Sequence, residues 1–226
     1  MVNEKRLSEK KRFTINRVDS FSKNGADYIR IVDYKSTMKT LDLYEIYYGL
    51  NIQLITYLMV MLKSDINKKL LPGGVMYLSL ENPIISVKDP EQSDFVEAEI
   101  RKKLVMKGLF LNDTEIMAAM DRELLINRKS DIIEVELDKN DYISSKNVLS
   151  LAEFDDVFYK LKSNIKETAE KIYGGEFKIR PVSVGGKSKC DYCPYSPVCC
   201  FDNTFEYEEI KKEPFEKMLG KIKEGE

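Results

Sequence analysis

Two runs of alternating residues flank Asn24-Gly25, and this arrangement constrains the chain more than any other feature. Along residues 11–22, Phe13, Ile15, Arg17 and Asp19 fall on one side of an extended chain, and Thr14, Asn16 and Val18 on the other. Residues 28–34 (YIRIVDY) form a second β-rich run. Asn-Gly supplies the two positive-φ residues that a two-residue hairpin turn requires. The chain therefore begins its fold with an antiparallel strand pair. Asp42, with Glu45 three residues on, has the form of a capping box and predicts a helix running to about Leu62. Pro72-Gly73-Gly74 predicts a turn, and residues 75–80 (VMYLSL) a third strand. Residues 91–105 and 114–125 have helical periodicity, residues 132–137 read as a strand, and residues 149–173 as a long helix stopped by Gly174-Gly175. The remainder is a loop-rich tail closed by a charged helix from about Glu206. This order predicts an α/β domain with a small mixed sheet flanked by helices.

Composition excludes several kinds of chemistry. The 226 residues contain no His, which removes His-based triads, His metal ligands and His general bases together. With 36 basic and 38 acidic residues the net charge is −2, so any nucleic-acid contact must come from a local patch. The basic runs at residues 10–12 and 101–103 read as solvated surface. The most apolar stretch, residues 46–62, is interrupted by Gly49, Asn51 and Gln53 and is short for a membrane span. The charged amino end has no apolar leader, and a cytoplasmic protein is expected. Gly185-Gly186-Lys187-Ser188 ends like a phosphate-binding loop, but Pro181 stands where the first glycine should be, so no ATP site is expected.

Two clusters remain that could carry chemistry. Asp33-Tyr34-Lys35 closes the second strand, so Asp33 and Lys35 share a face, beside the place of Asn16 on the neighbouring strand. A carboxylate holds a hard divalent cation, and a nearby lysine stabilises developing phosphate charge or positions a water. Gln53 and Tyr57 stand i, i+4 on the helix that follows. Each piece alone has a plain structural reading: a surface ion pair for Asp33 and Lys35, and a core tyrosine among Leu54, Leu58 and Met61 for Tyr57. The second cluster is Cys190, Cys193 and Cys199, with Cys200 adjacent. Such spacing suits zinc or an iron–sulfur cluster, and plain reduced cysteines are the alternative.

Taken in order, INRVD (15–19), RIVDYKS (30–36), YYGLNIQLITYL (47–58), PGGVMYL (72–78), MKGLFL (106–111) and CDYCPYSPVC (190–199) resemble the nuclease domain of the AddB/RexB family. This family supplies the AddB component of AddAB-type helicase–nucleases and is a RecB-like branch of the PD-(D/E)xK nucleases. The resemblance implies a restriction-endonuclease-like α/β core over residues 1–180. Residues 181–226 would then be a Cys-rich segment and terminal helix packed on that domain. It implies a Mg²⁺- or Mn²⁺-dependent DNA exonuclease that acts in double-strand-break repair beside an AddA-type helicase. Asp33 becomes a metal ligand, Lys35 the catalytic lysine, and Gln53 and Tyr57 the pair lining the site. Cys190, Cys193 and Cys199 become ligands of a [4Fe–4S] cluster whose fourth family cysteine, upstream, has no counterpart here. Asn16 stands where the family pattern has a metal-binding aspartate. The implied activity is therefore weakened or absent, and the alternative is an inactive nuclease-fold module for DNA binding or partner docking. Asp19, at an odd offset from Asn16, should face the other way.

Overall fold

A computed structural model of the chain describes residues 15–81, 84–85, 93–176, 178–199 and 207–225. Residues 11–14 of the first predicted strand, the basic run at 10–12, the first two residues of the helix predicted over 91–105, Cys200 and Glu206 lie outside the described residues. The chain divides into two compact units, residues 1–41 with 53–149, and residues 42–52 with 150–226.

The first unit is built on β1 (Arg17–Lys23) and β2 (Ala26–Lys35), antiparallel as expected. Asn24 and Gly25 join them with φ of 52° and 74°, the left-handed pair of a type I′ turn. β2 lies parallel to β3 (Leu70–Ser79), and β3 is antiparallel to β4 (Lys107–Leu111). β5 (Val148–Leu149) adds a parallel edge, giving the mixed order β1-β2-β3-β4-β5. A helix, α2 (Gln53–Met61), crosses between β2 and β3 and packs on both. Beyond β3 come α3 (Ser93–Leu104), α4 (Thr114–Met120) and α5 (Leu124–Asn127). The core is apolar and closed, with Ile31, Ile55, Leu58, Val75, Met76, Leu109 and Phe110 all fully buried.

Four expectations are corrected here. Pro72-Gly73-Gly74 is not a turn: it lies inside β3, where the register steps from Ile29↔Pro72 to Arg30↔Gly74. Gly73 is the extra residue of this bulge, and a Cβ on it would stand 3.1 Å from the Ile29 carbonyl. The glycines thus mark close backbone approach in a central strand. The helix predicted from Asp42 to Leu62 is two helices, α1 (Leu43–Tyr47) and α2. Asp42 takes the N-cap position but its side chain makes no cap bond, and Gly49 at φ 73° turns the chain after α1. Residues 132–137 form only isolated bridges, Met106↔Ile133, Lys129↔Glu136 and Leu137↔Ile143. Helical residues 114–125 are interrupted at Asp121, which caps α4 and accepts a hydrogen bond from the Ser130 hydroxyl.

The second unit gathers α1, α6 (Leu151–Tyr173) and α8 (Phe215–Glu224) around Ile46, Phe154, Val157, Leu161, Met218 and Ile222. Ser150 and Glu153 form a complete capping box at the start of α6. Residues 181–210 are more regular than a loop-rich tail. β6 (Val182–Val184), β7 (Lys187–Ser188) and β8 (Glu208–Ile210) form a three-stranded sheet in the order β7-β6-β8. Gly185-Gly186 is the β6–β7 hairpin turn. A short α7 (Ser196–Cys199) precedes β8, and the terminal helix begins at Phe215, since Glu208–Ile210 pair as strand. Among the described residues no helix is long and apolar enough to cross a membrane.

Candidate active site

The β1–β2 register runs from Lys23↔Ala26 to Arg17↔Val32, and Asn16, one residue before β1, is tied to the end of β2 through its side chain. Across the next boundaries Asp33 stands opposite Tyr77, and Tyr77 opposite Lys107. Residues directly opposed in a sheet project from the same face. Asp33, Tyr77 and Lys107 therefore form one row across β2, β3 and β4, and Asn16 lies just before β1 against the end of β2. Asp19 pairs with Arg30 in the alternate phase and lies on the opposite face, as the odd offset requires.

Two residues further along β2, the Lys35 ammonium lies 2.7 Å from Asp33 Oδ2, with the side chains 30% and 16% exposed. The pair is sheltered but open to solvent. The buried Tyr77 ring sits under two cations, with Lys39 Nζ 5.0 Å and Lys35 Nζ 5.6 Å from its centroid. Such contacts are worth about 0.5–1 kcal/mol when exposed, more when desolvated, and bias where a flexible ammonium rests. Lys107 Nζ approaches Met38 Sδ at 3.9 Å, so it too reaches toward the loop after β2.

Asn16 is engaged. Its Oδ1 accepts the Tyr34 backbone N–H at 3.3 Å, the bond that a main-chain carbonyl would take if β1 continued regularly. An asparagine has one acceptor oxygen, and its other terminus is an NH₂ donor that repels a cation. A carboxylate could accept the same N–H with one oxygen and keep a second, charged oxygen free. Asn16 thus offers neither the charge nor the spare ligand atom that a carboxylate there would have.

Gln53 opens α2 and is exposed, and its Nε2 donates to the Tyr57 hydroxyl at 2.8 Å. Leu54, Ile55 and Leu58 are the buried side of this helix, whereas Tyr57 is only half-buried. Tyr57 is therefore an amphipathic rim residue rather than core. Its helix packs on the two strands that carry Asp33 and Tyr77.

On the far face, burial pushes the Asp19 carboxyl up, but hydrogen bonds from Arg17 and Arg30 more than offset this and hold it below its ordinary range. The Arg30 contact is 2.6 Å and the Arg17 contact 2.9 Å. Asp19 is a structural anchor for the hairpin.

The donor set decides which cofactors fit. Among the described residues no three or more His, Cys, Asp or Glu side chains gather closely enough to hold a metal ion. Mg²⁺ keeps several waters and commonly needs one or two carboxylates. Asp33 with neutral Asn16 fits that requirement weakly. A [4Fe–4S] cluster needs four thiolates. Cys190 and Cys193 are half-buried, Cys199 is exposed, and these three free thiols do not converge, while Cys200 lies outside the described residues.

Tyr77, Lys39 and Lys107 were not found from the sequence. The first and last join Asp33 only through the β3 register, which depends on the Gly73 bulge, inside a segment expected to turn. Lys39 lies in a loop, where no periodicity reports its neighbours.

A family model described as the PD-(D/E)XK nuclease superfamily matches residues 14–200. Similar curated proteins are named as the B-type component of an ATP-dependent helicase/deoxyribonuclease. One from Alkaliphilus metalliredigens is 38% identical over 217 residues, covering 92% of this chain and 19% of the relative. One from Clostridium acetobutylicum is 35% identical over 210 residues, covering 90% and 18%. A third, from Clostridioides difficile, is 33% identical over 217 residues, covering 92% and 19%. The chain thus spans about a fifth of the length of these relatives. The match over residues 14–200, from the Asn16–Asp33 pair to the cysteine segment, shows that this chain belongs to the PD-(D/E)XK nuclease superfamily.

Proposed function

We propose that the chain is the nuclease domain of an AddB-type helicase/deoxyribonuclease component, built to hydrolyse DNA phosphodiester bonds and impaired at Asn16. The observation that carries this reading is the Asp33 carboxylate opposite Tyr77 with Lys35 2.7 Å from it, and the Asn16 side chain bonded to the next residue of the same strand, Tyr34. Mg²⁺ or Mn²⁺, when bound, would supply Lewis-acid stabilisation of the phosphate and lower the pKa of an attacking water. Asp33 would hold it, with Asn16 offering at most a neutral oxygen. Lys35 places a positive charge beside the carboxylate, where it stabilises charge developing on a phosphate oxygen and orients the water. The Tyr77 ring restrains Lys35 and Lys39 in that position. Gln53 and Tyr57 present a linked amide and hydroxyl for a phosphate or a base.

The relatives' name supports work on DNA beside a helicase. The wider role would be that of a cytoplasmic exonuclease in double-strand-break repair and recombination, with an AddA-type helicase binding the ATP that this chain does not. A second reading has its own support. Because the Asn16 oxygen is already spent on Tyr34 N–H, the domain as it stands could serve as an inactive DNA-binding or docking module.

Degradation of end-labelled linear DNA separates the two. With Mg²⁺ or Mn²⁺, N16D should be at least about tenfold faster than the parent chain, and adding Lys35→Ala to N16D should remove the gain. Equal rates for parent and N16D would sink the impaired-nuclease reading. A metal-binding N16D protein without activity would favour the inactive module.

A further inference from the structure

Tyr77 stands directly opposite Asp33, one strand or about 4.8 Å away, and is almost fully buried. Two ammoniums from different parts of the chain approach its ring. Lys35 Nζ lies 5.6 Å from the centroid and Lys39 Nζ 5.0 Å, so both sit within 5.6 Å of one point. Lys35 comes from the end of β2 and also meets the Asp33 carboxylate at 2.7 Å. Lys39 comes from the loop that follows, and this loop is pinned on both sides of it. The Leu80 N–H donates to the Lys35 carbonyl at 2.8 Å, the Met38 N–H donates to Glu81 Oε2 at 3.3 Å, and Leu41 is buried. A loop held before substrate arrives lowers the ordering cost of using the side chain it carries. The ring contact keeps an ammonium close, yet it is weak enough to yield to a charge-assisted bond with a phosphate oxygen.

We propose that Lys39 is a second substrate-contacting residue of the Asp33 site, gripping the phosphate next to the one under attack, and that Tyr77 is its positioning residue. This rests on the nuclease reading above. The two lysines divide the work. Lys35, beside the carboxylate, meets charge that develops during the reaction and therefore acts on kcat. A bond to a neighbouring phosphate is equally strong before and during the reaction, so Lys39 acts on KM.

The experiment has two arms. In the first, a fluorescent single-stranded oligonucleotide is titrated with the full chain across a salt series, without divalent metal so that nothing is cleaved. Compared are the parent, Lys39→Ala, and a control, Lys68→Ala, at the exposed α2–β3 connection. Lys39 is exposed, so its removal leaves the core intact. Each phosphate contact contributes about 0.7 to the slope of log affinity against log salt for single strands. Lys39→Ala should lose about that much, and the control should match the parent. In the second arm, linear DNA is degraded by N16D with Mn²⁺. Adding Lys39→Ala should raise KM about tenfold and leave kcat within about twofold. Adding Tyr77→Phe, which keeps the ring, should leave KM unchanged, while Tyr77→Leu should raise it. Where Tyr77→Leu does not fold, Lys39→Ala and Tyr77→Phe decide. A parent-like slope in Lys39→Ala, or a fall in kcat at constant KM, would overturn the proposal and leave the nuclease reading standing. An inert N16D would sink the nuclease reading, and with it the catalytic role given to Lys39.

Discussion

At the scale of single residues, the proposed chemistry turns on one oxygen atom. Asn16 uses its acceptor oxygen on Tyr34 N–H and has no charge to offer, while Asp33 shares its carboxylate with Lys35. A divalent ion attracted by one further unit charge at 4 Å gains about 2 kcal/mol even at the dielectric of water. That is enough to separate a metal site from a weak one. Asp19 shows how a neighbouring carboxylate is committed elsewhere. Arg30, only 16% exposed, depends on it. Asp19→Asn should cost about 1–3 kcal/mol in urea unfolding, with little effect on metal binding; a loss of metal affinity would mean that Asp19 reaches the site. The alternation of residues around Asn24-Gly25 made much of this legible. It set the hairpin and put Asp19 out of phase with Asp33. Register beyond β2 was not legible, because long-range pairing depends on a bulge that local sequence disguises as a turn.

At the scale of elements, glycines and caps decide where strands and helices can lie. Gly108 faces the backbone of β3, and a Cβ there would fall 1.9 Å from the Val75 carbonyl oxygen. Gly108→Ala should therefore destabilise by about 3 kcal/mol or prevent folding, whereas the same change at the open Gly220 should be near neutral or stabilising. Equal midpoints for the two variants in thermal unfolding would contradict the β3–β4 packing. The long helix α6 was predicted almost to its ends because its periodicity and its Gly174-Gly175 stop agree, and the Ser150–Glu153 capping box fixes its start. Ser150→Ala should cost about 1 kcal/mol, read from the denaturant midpoint. The short strands β5 to β8 escaped notice for the converse reason. Two or three residues carry no period, and only their partners define them.

At the scale of the whole molecule, three carboxylates set the acid limit of stability. Asp19, Asp113 and Glu153 are each pushed up by burial and pulled down further by partners: Arg17 and Arg30, then Lys23 with backbone N–H groups at the start of α4, then Lys223 and Ser150. Each folded-state pKa is depressed, so each contributes stability that is full above the ordinary carboxylate range and is lost as pH falls through the lowered value. Thermal midpoints should be flat from neutral pH down to about 5 and then fall steeply below about 4. Asp113→Asn should flatten that acid limb; an unchanged limb would contradict the assignment. The cysteines give a second whole-molecule expectation. Since Cys190, Cys193 and Cys199 do not converge, protein purified without oxygen should be colourless and free of stoichiometric iron. A brown product with iron bound would show that the segment gathers around a cluster after all.

Membership in the PD-(D/E)XK superfamily follows from the match over residues 14–200, while the impaired state proposed for the site rests on Asn16. Calorimetric titration of Mn²⁺ into the parent chain and N16D tests that state most directly, because it reads the metal without requiring turnover. The account predicts that N16D binds at least about tenfold more tightly, in line with the added charge and the freed oxygen. Equal affinities would contradict it, since position 16 would then lie outside the metal's reach.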